Sequence, residues 1–171
     1  MHNAAALAPT LEQLSKALMQ RGWMMATAES CTGGMIAAAC TDIAGSSAWF
    51  DRGFVTYSNA SKTDMLGVPT SLIEQHGAVS KAVVCAMAAG ALARSQASIS
   101  VAVSGVAGPG GGTPEKPVGT VWVASALRTH TQAQHLHLEG DRQAVRQQAM
   151  YYALCQLVAA LNRPALEHRR N

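Results

Sequence analysis

The chain has 171 residues, of which 49% are hydrophobic, 13% charged and 5% aromatic, and its formal net charge is +3. Such a composition excludes a disordered chain and predicts one globular domain over 1–171, with a core spanning about 10–160. Basic residues gather only in the tail 168–170, so no nucleic-acid partner is expected. No apolar run is long enough to cross a bilayer, and 1–4 do not resemble a signal peptide, so no membrane partner is expected.

Four cysteines occur, and no two of them have the CxxC spacing of a zinc site or a redox pair. Three lie in apolar helical runs, where a free thiol behaves as a small hydrophobic group. Reduced cysteines predict a cytoplasmic location.

Helices and short apolar strands alternate along most of the chain. The first helix is predicted at 10–21 with Thr10 as its N-cap, and the first buried strand follows at 23–28. The later strands are predicted at 49–57, 98–104, 118–127 and 132–138. The later helices are predicted at 33–40, 71–76, 80–95 and 141–161. A further short helix, capped by Ser58 or Asn59, carries Lys62 and stops at 67–69.

The order of these elements predicts the fold. Early strands separated by helices favour parallel crossovers, whereas the late strands, joined by a turn at 128–131, favour an antiparallel hairpin. We therefore expect an α/β fold, a three-layer α/β/α sandwich around a mixed, mostly parallel sheet of about five strands.

Ser30 follows the first strand and precedes a helix, at the sheet edge where ligands of open α/β folds gather. Free N–H groups of Thr32, Gly33 and Gly34 at the start of that helix are candidates to bind a phosphate or an oxyanion. The alternative is that Ser30 is an ordinary helix cap. Cys31 is a rival nucleophile, but no histidine lies near it in sequence to activate it.

Lys62 and Tyr57 lie at the next strand-to-helix junction and complete a candidate Ser–Lys–Tyr site. A lysine acts as a base only if its pKa falls from about 10.4 to roughly 7–8, which requires burial or a neighbouring cation. A phenol at this place is suited to relaying a proton. The alternatives are a solvated lysine on a short helix and a strand-end tyrosine with a hydrated hydroxyl.

The segment 104–112 is rich in glycine and follows a predicted strand, so it resembles a phosphate-binding loop. Ser104, Gly105 and Gly108 are its candidate binding residues, although it lacks the Walker and dinucleotide patterns and also suits a plain flexible loop. Arg142, and Arg146 one turn later, are candidates to neutralise a phosphate; the alternative is a solvated helix face.

His135 and His137 share one face of an exposed strand, a spacing that some metal sites use. Polar neighbours around them favour a solvated surface. We therefore assign no metal.

Five ordered blocks together are similar to one family. They are T-A-E-S-C-T-G-G (27–34), I-A-G-S-S-A-W-F-D-R-G-F-V-T-Y-S-N (43–59), H-G-A-V-S (76–80), S-G-V-A-G-P-G-G-G (104–112) and K-P-V-G-T-V-W (116–122). The chain resembles the CinA C-terminal-domain family, and within it the stand-alone nicotinamide-nucleotide amidases.

That resemblance implies hydrolysis of the carboxamide of nicotinamide mononucleotide to nicotinate mononucleotide and ammonia. It also implies a serine–lysine dyad helped by a tyrosine, roles that transfer to Ser30, Lys62 and Tyr57, with no cofactor and no metal. Family members tend to be homodimers. Two other functions stay open: a non-catalytic nucleotide-binding or competence-associated module, and an amidohydrolase acting on another small amide.

Overall fold

The structure, a computed structural model, describes residues 2–162, and the basic tail 168–170 lies outside that range. Five strands form one sheet: β1 (Met25–Glu29), β2 (Phe50–Val55), β3 (Ile99–Gly105), β4 (Thr120–Leu127) and β5 (His130–His137). Six helices accompany them, with one turn of 3-10 helix at Ser46–Ala48: α1 (His2–Arg21), α2 (Met35–Thr41), α3 (Asn59–Leu66), α4 (Thr70–His76), α5 (Lys81–Ala93) and α6 (Arg142–Leu161).

The sheet has the order β2-β1-β3-β4-β5. β1 pairs in parallel with both β2 and β3, while β4 is antiparallel to β3 and to β5. Only β4 therefore runs against the other strands. The mixed five-stranded sheet that the sequence predicted is confirmed.

Alternate residues of the central strands face two separate cores, as the pleat of a strand requires. Val101 and Val103 of β3 pack into a core that includes Leu14 of α1 and Leu157 of α6. Ala102 faces the opposite core, which includes α5. Apolar residues on both faces of one sheet make helices necessary on both sides, which gives the three layers.

Most element boundaries lie within two residues of the prediction, and two of the differences are informative. Thr10 is not an N-cap, because α1 begins at His2 and the Thr10 hydroxyl donates to the carbonyl of Ala6 at 2.8 Å. An alanine-rich segment with high helix propensity extends the helix beyond the polar residue that suggested its start. The last hairpin is also tighter than predicted, because Leu127 pairs with His130 and leaves only two residues in the turn.

The parallel strands bring their carboxyl ends to one edge of the sheet. Ser30 follows β1, Thr56 and Tyr57 follow β2, and Ser104 lies near the end of β3. Since β4 runs the other way, it begins at this same edge. β5 runs parallel to β3 and ends there too, and α6 follows it, so a strand delivers every candidate site segment to this edge. Within residues 2–162, no helix combines the length and apolar character needed to cross a membrane.

Candidate active site

Ser30 and Lys62 meet although 32 positions separate them in sequence. Lys62 Nζ lies 3.2 Å from Ser30 Oγ, within hydrogen-bond distance. The serine is carried by the turn after β1 and the lysine by α3, so the neighbouring parallel strands β1 and β2 set their separation. The structure thus brings together two of the three predicted catalytic side chains.

Lys62 is almost wholly buried, with 1% of its surface exposed. Nζ also donates to the carbonyls of Thr56 at 3.0 Å and Ser58 at 3.4 Å. Neither ion pair found within residues 2–162 includes it. Burial lowers the pKa of Lys62 below 10.5, an effect that the nearby Cys31 thiol partly opposes. An amine with a depressed pKa and a hydroxyl neighbour is suited to general-base work.

A capping box fixes the helix that carries Lys62. The Ser58 hydroxyl accepts from the Ser61 amide at 3.1 Å, and the Ser61 hydroxyl accepts from the Ser58 amide at 3.1 Å. Such reciprocal caps stabilise the first turn of a helix. Here they hold the turn from which the Lys62 stem reaches inward.

Tyr57 is exposed, and its hydroxyl accepts from Arg142 Nη2 at 2.7 Å. Within the described residues it makes no hydrogen bond to Ser30 or Lys62. Arg142 Nη1 donates to the Gly108 carbonyl at 2.8 Å. One guanidinium therefore joins the junction after β2 to the glycine-rich loop.

The turn after Ser30 uses two of its amides internally. Gly33 N donates to the Ser30 carbonyl at 3.1 Å, and Gly34 N donates to Glu29 Oε2 at 3.0 Å. The expectation of free N–H groups at these two glycines is therefore wrong. The amides of Cys31 and Thr32 donate to no other residue within residues 2–162, so they are the donors of this turn left for a ligand.

Backbone conformation explains why glycines occupy the end of this turn. Gly33 and Gly34 have φ values of +59° and +99°, in the left-handed region that favours glycine. Arg146 Nε and Nη2 then donate to the carbonyls of Cys31 and Thr32, each at 3.0 Å. Arg146, predicted as a second phosphate ligand, instead holds the Ser30 turn against α6.

The predicted residues of the glycine-rich loop shape the site wall through packing. The Ser104 hydroxyl is buried and donates to the Ala78 carbonyl at 2.8 Å. A Cβ on Gly105 would lie 2.6 Å from Val121 Cγ2, so glycine permits close approach to β4. Gly108, at φ +80°, turns its carbonyl towards Arg142.

Thr32, in the same turn, has a fully buried hydroxyl without a hydrogen-bond partner within the described residues. Buried polar atoms are normally satisfied, by protein groups or by water.

Cys31, the rival nucleophile, is disfavoured. Burial raises the pKa of its thiol to about 11, although the Cys31 amide opposes that shift. Since the thiolate is the reactive form, this thiol is inert at neutral pH.

Sequence reasoning missed Glu29 as a site residue. Its side chain is fully buried and binds the turn that follows Ser30. A glutamate at the end of an otherwise apolar strand was the available signal, because such residues are rarely buried without partners.

His135 stacks on Trp122, with 4.8 Å between the ring centroids. No group of three or more histidine, cysteine, aspartate or glutamate side chains is placed to hold a metal within residues 2–162.

Comparison with known proteins identifies the family. The model of the CinA C-terminal domain family matches residues 7–161. The chain belongs to the CinA C-terminal domain family. The resemblance predicted from the five sequence blocks is thereby confirmed.

Three members of this CinA family illustrate the similarity. Nicotinamide-nucleotide amidohydrolase PncC of Enterobacter agglomerans is 57% identical over 83% of this chain and 87% of its own. The protein of the same name from Escherichia coli (strain K12) is 56% identical over 84% and 87%. A crystal structure of a competence-damaged protein (CinA) superfamily protein from Klebsiella pneumoniae aligns with a TM-score of 0.87 and 40% identity, covering 91% of this chain and 97% of that one.

Burial of Lys62 predicts a specific dependence of stability on pH. Between the folded-state pKa and 10.5, the folded protein has lost the Lys62 proton while the unfolded chain keeps it. The free energy of unfolding of the wild type should therefore rise with pH in that window, relative to Lys62→Met, by at most about 1.4 kcal/mol per pH unit. Denaturant titrations from neutral pH upward measure this difference.

Lys81→Met makes the same change at an exposed lysine and serves as the control. A difference between wild type and Lys62→Met that stays flat up to pH 10.5 would contradict the lowered pKa.

Proposed function

We propose that this chain is an amidohydrolase that converts nicotinamide mononucleotide to nicotinate mononucleotide and ammonia, with Ser30 as nucleophile and Lys62 as base. The observation that carries the proposal is the buried Lys62 amine, 3.2 Å from Ser30 Oγ. The names of relatives that are 56–57% identical over 83–84% of this chain support the substrate.

The contacts of Lys62 suit a neutral amine. A neutral amine has two hydrogens and one lone pair. The carbonyls of Thr56 and Ser58 can accept the two hydrogens, which leaves the lone pair for the Ser30 hydroxyl proton. In this state Ser30 donates across the 3.2 Å contact. Deprotonated in this way, its oxygen attacks the carboxamide carbon.

The tetrahedral intermediate needs donors for its oxyanion. We assign this role to the amides of Cys31 and Thr32, which donate to no other residue within residues 2–162 and follow the nucleophile directly. The amides of Ala107 and Gly108 in the glycine-rich loop are the second source, since that of Val106 already donates to the Thr120 carbonyl at 2.8 Å. Preorganised N–H groups of this kind are commonly the largest electrostatic contribution to acyl transfer.

Tyr57 is assigned the proton transfer to the leaving group. Its oxygen accepts from Arg142, so its own proton is available to donate. Tyr57 passes that proton to the departing ammonia and regains one from Lys62, which took it from Ser30. Water then hydrolyses the acyl-enzyme, releasing the carboxylate product and restoring the Ser30 hydroxyl.

Arg142 is assigned to the phosphate of the substrate. Its guanidinium is exposed and already lies between the glycine-rich loop and Tyr57. A planar guanidinium with five donors can keep one of these bonds and still engage a phosphate. This places the charged end of the substrate beside the loop whose glycines were predicted to bind it.

A cytoplasmic location and a homodimer belong to the same proposal. Four free cysteines are consistent with a reducing compartment. Cell fractionation tests the first, and light scattering in solution tests the second.

Ser30→Ala should lower ammonia release from nicotinamide mononucleotide by about a thousandfold or more, because the nucleophile is lost. Ser71→Ala, at an exposed serine of α4, is the matched control. Near-normal turnover by Ser30→Ala would refute the mechanism. Nucleotide binding by the wild type without ammonia release would favour the binding-module alternative.

Tyr57→Phe should lower kcat by about a hundredfold, since it removes a general acid and leaves the ring in place. KM should change little. Steady-state kinetics measure both constants, and Tyr152→Phe, a partly exposed tyrosine of α6, is the control. An unchanged kcat would remove Tyr57 from the proton path.

Arg142→Ala should raise KM for the mononucleotide by about tenfold, the usual effect of losing one charge-assisted contact. The phosphate-free nucleoside should lose no affinity by this route. The ratio of kcat/KM for the two substrates isolates the phosphate contribution from any effect through Tyr57.

Arg128→Ala is the control for that comparison, because Arg128 lies in the β4–β5 turn at the opposite edge of the sheet. An unchanged ratio in Arg142→Ala would assign the phosphate to another group.

A further inference from the structure

Glu29 is a fully buried acid at the end of β1, immediately before Ser30. Its Oε2 accepts from the amides of Gly34 at 3.0 Å and Ile36 at 3.1 Å. Its Oε1 accepts from the amide of Ala37 at 2.9 Å and from the Thr27 hydroxyl at 3.3 Å. Four donors thus converge on a group that only accepts when ionised.

No cation pairs with this carboxylate among residues 2–162, where both ion pairs lie elsewhere. Backbone N–H groups at the start of α2 compensate the loss of water around this buried carboxylate, and the helix dipole there favours a negative charge. The side chain therefore occupies the Gly34 amide, one of the three at which the sequence suggested a bound phosphate or oxyanion.

The bonds of Glu29 close the Ser30 turn at both ends. Ser30 follows Glu29 directly in the backbone, and the side chain reaches forward to bind the amides that end the turn. A turn anchored at each end by one residue has little freedom to move the hydroxyl it carries.

The main chain of Glu29 also reaches the other half of the site. Its carbonyl accepts from the Thr56 amide at 2.8 Å, and the Thr56 carbonyl accepts from Lys62 Nζ at 3.0 Å. One residue therefore links the turn that carries the hydroxyl to the segment that binds the amine.

We propose that Glu29 is a positioning residue that sets the distance between the Ser30 hydroxyl and the Lys62 amine. The proposal rests on the function proposed above. Glu29 touches neither of the reacting groups with its side chain and acts only through the turn. Small displacements of a nucleophile are costly, about a hundredfold in rate for 1 Å.

The test uses the geometry of a neutral amide. In Glu29→Gln the new NH2 group needs an acceptor, and only the Thr27 hydroxyl can provide one among the four partners. The amide should therefore turn its nitrogen to Thr27, keep its oxygen on Gly34 and Ile36, and leave Ala37 without an acceptor. Thr27→Val removes that hydroxyl, so the NH2 group of the glutamine then has no acceptor among these partners.

Glu29→Gln should lower kcat about tenfold with KM within about twofold, and Thr27→Val alone should lower kcat about twofold. The double variant should lose about a hundredfold or more, beyond the product of the single effects, because no orientation of the amide then satisfies the turn. Glu12→Gln, at an exposed glutamate paired with Lys16, is the matched control.

A second readout is the rate at which a fluorophosphonate probe labels Ser30, with mass spectrometry locating the adduct. Labelling should slow in the same order as kcat. Circular dichroism and thermal melting confirm that each variant folds. If Glu29→Gln does not fold, Glu29→Asp, which keeps the charge on a shorter side chain, is tested in its place. Its kcat and its rate of labelling at Ser30 are then measured in the same way.

The outcomes separate this proposal from the proposed function. Unchanged kcat and labelling in Glu29→Gln, or a raised KM with unchanged kcat, would overturn the positioning role while leaving the amidase intact. A wild type that is labelled at Ser30 but releases no ammonia would refute the substrate, and slower labelling of Glu29→Gln would still support positioning. A wild type that is neither labelled nor active would overturn both.

Discussion

This site depends on the contact between the buried Lys62 amine and the Ser30 hydroxyl. Removing Lys62 from water disfavours its charged form, and each unit by which the pKa falls reflects about 1.4 kcal/mol. The carbonyls of Thr56 and Ser58 offset part of that cost without restoring a charge partner. The fold thus tolerates a buried lysine because main-chain acceptors satisfy it, and the same arrangement leaves it able to take a proton.

Charged side chains around the site bind backbone rather than one another. Glu29 accepts from amides of α2, Arg146 donates to carbonyls of the Ser30 turn, and Arg142 donates to Gly108 and Tyr57. Both ion pairs of the described residues lie at other places. Contacts of this kind fix the main chain of loops that lack regular hydrogen bonding. The turn after β1 and the glycine-rich loop are accordingly held from α6.

Much of the candidate site could be predicted from the types of residue that stand where a strand is followed by a helix. Ser30 and Lys62 were predicted together because each follows a strand at the same sheet edge, and the structure brings them within hydrogen-bond distance. The free amides were predicted less well, because Gly33 and Gly34 were read for their flexibility and not for their partners. The start of α1 was missed, since Thr10 resembles a cap whether or not a helix begins there.

The sequence by itself determined the family, the alternation of strands and helices, and which side chains are candidates to carry chemistry, because these follow from local pattern and ordered motifs. Tertiary structure alone decided which groups those side chains contact. Only packing shows that Lys62 is buried, that Glu29 occupies the start of α2, and that the Tyr57 hydroxyl accepts from Arg142. Each of these depends on contacts between residues distant in sequence or on exclusion of water. Long-range contacts and burial are not encoded in any local pattern.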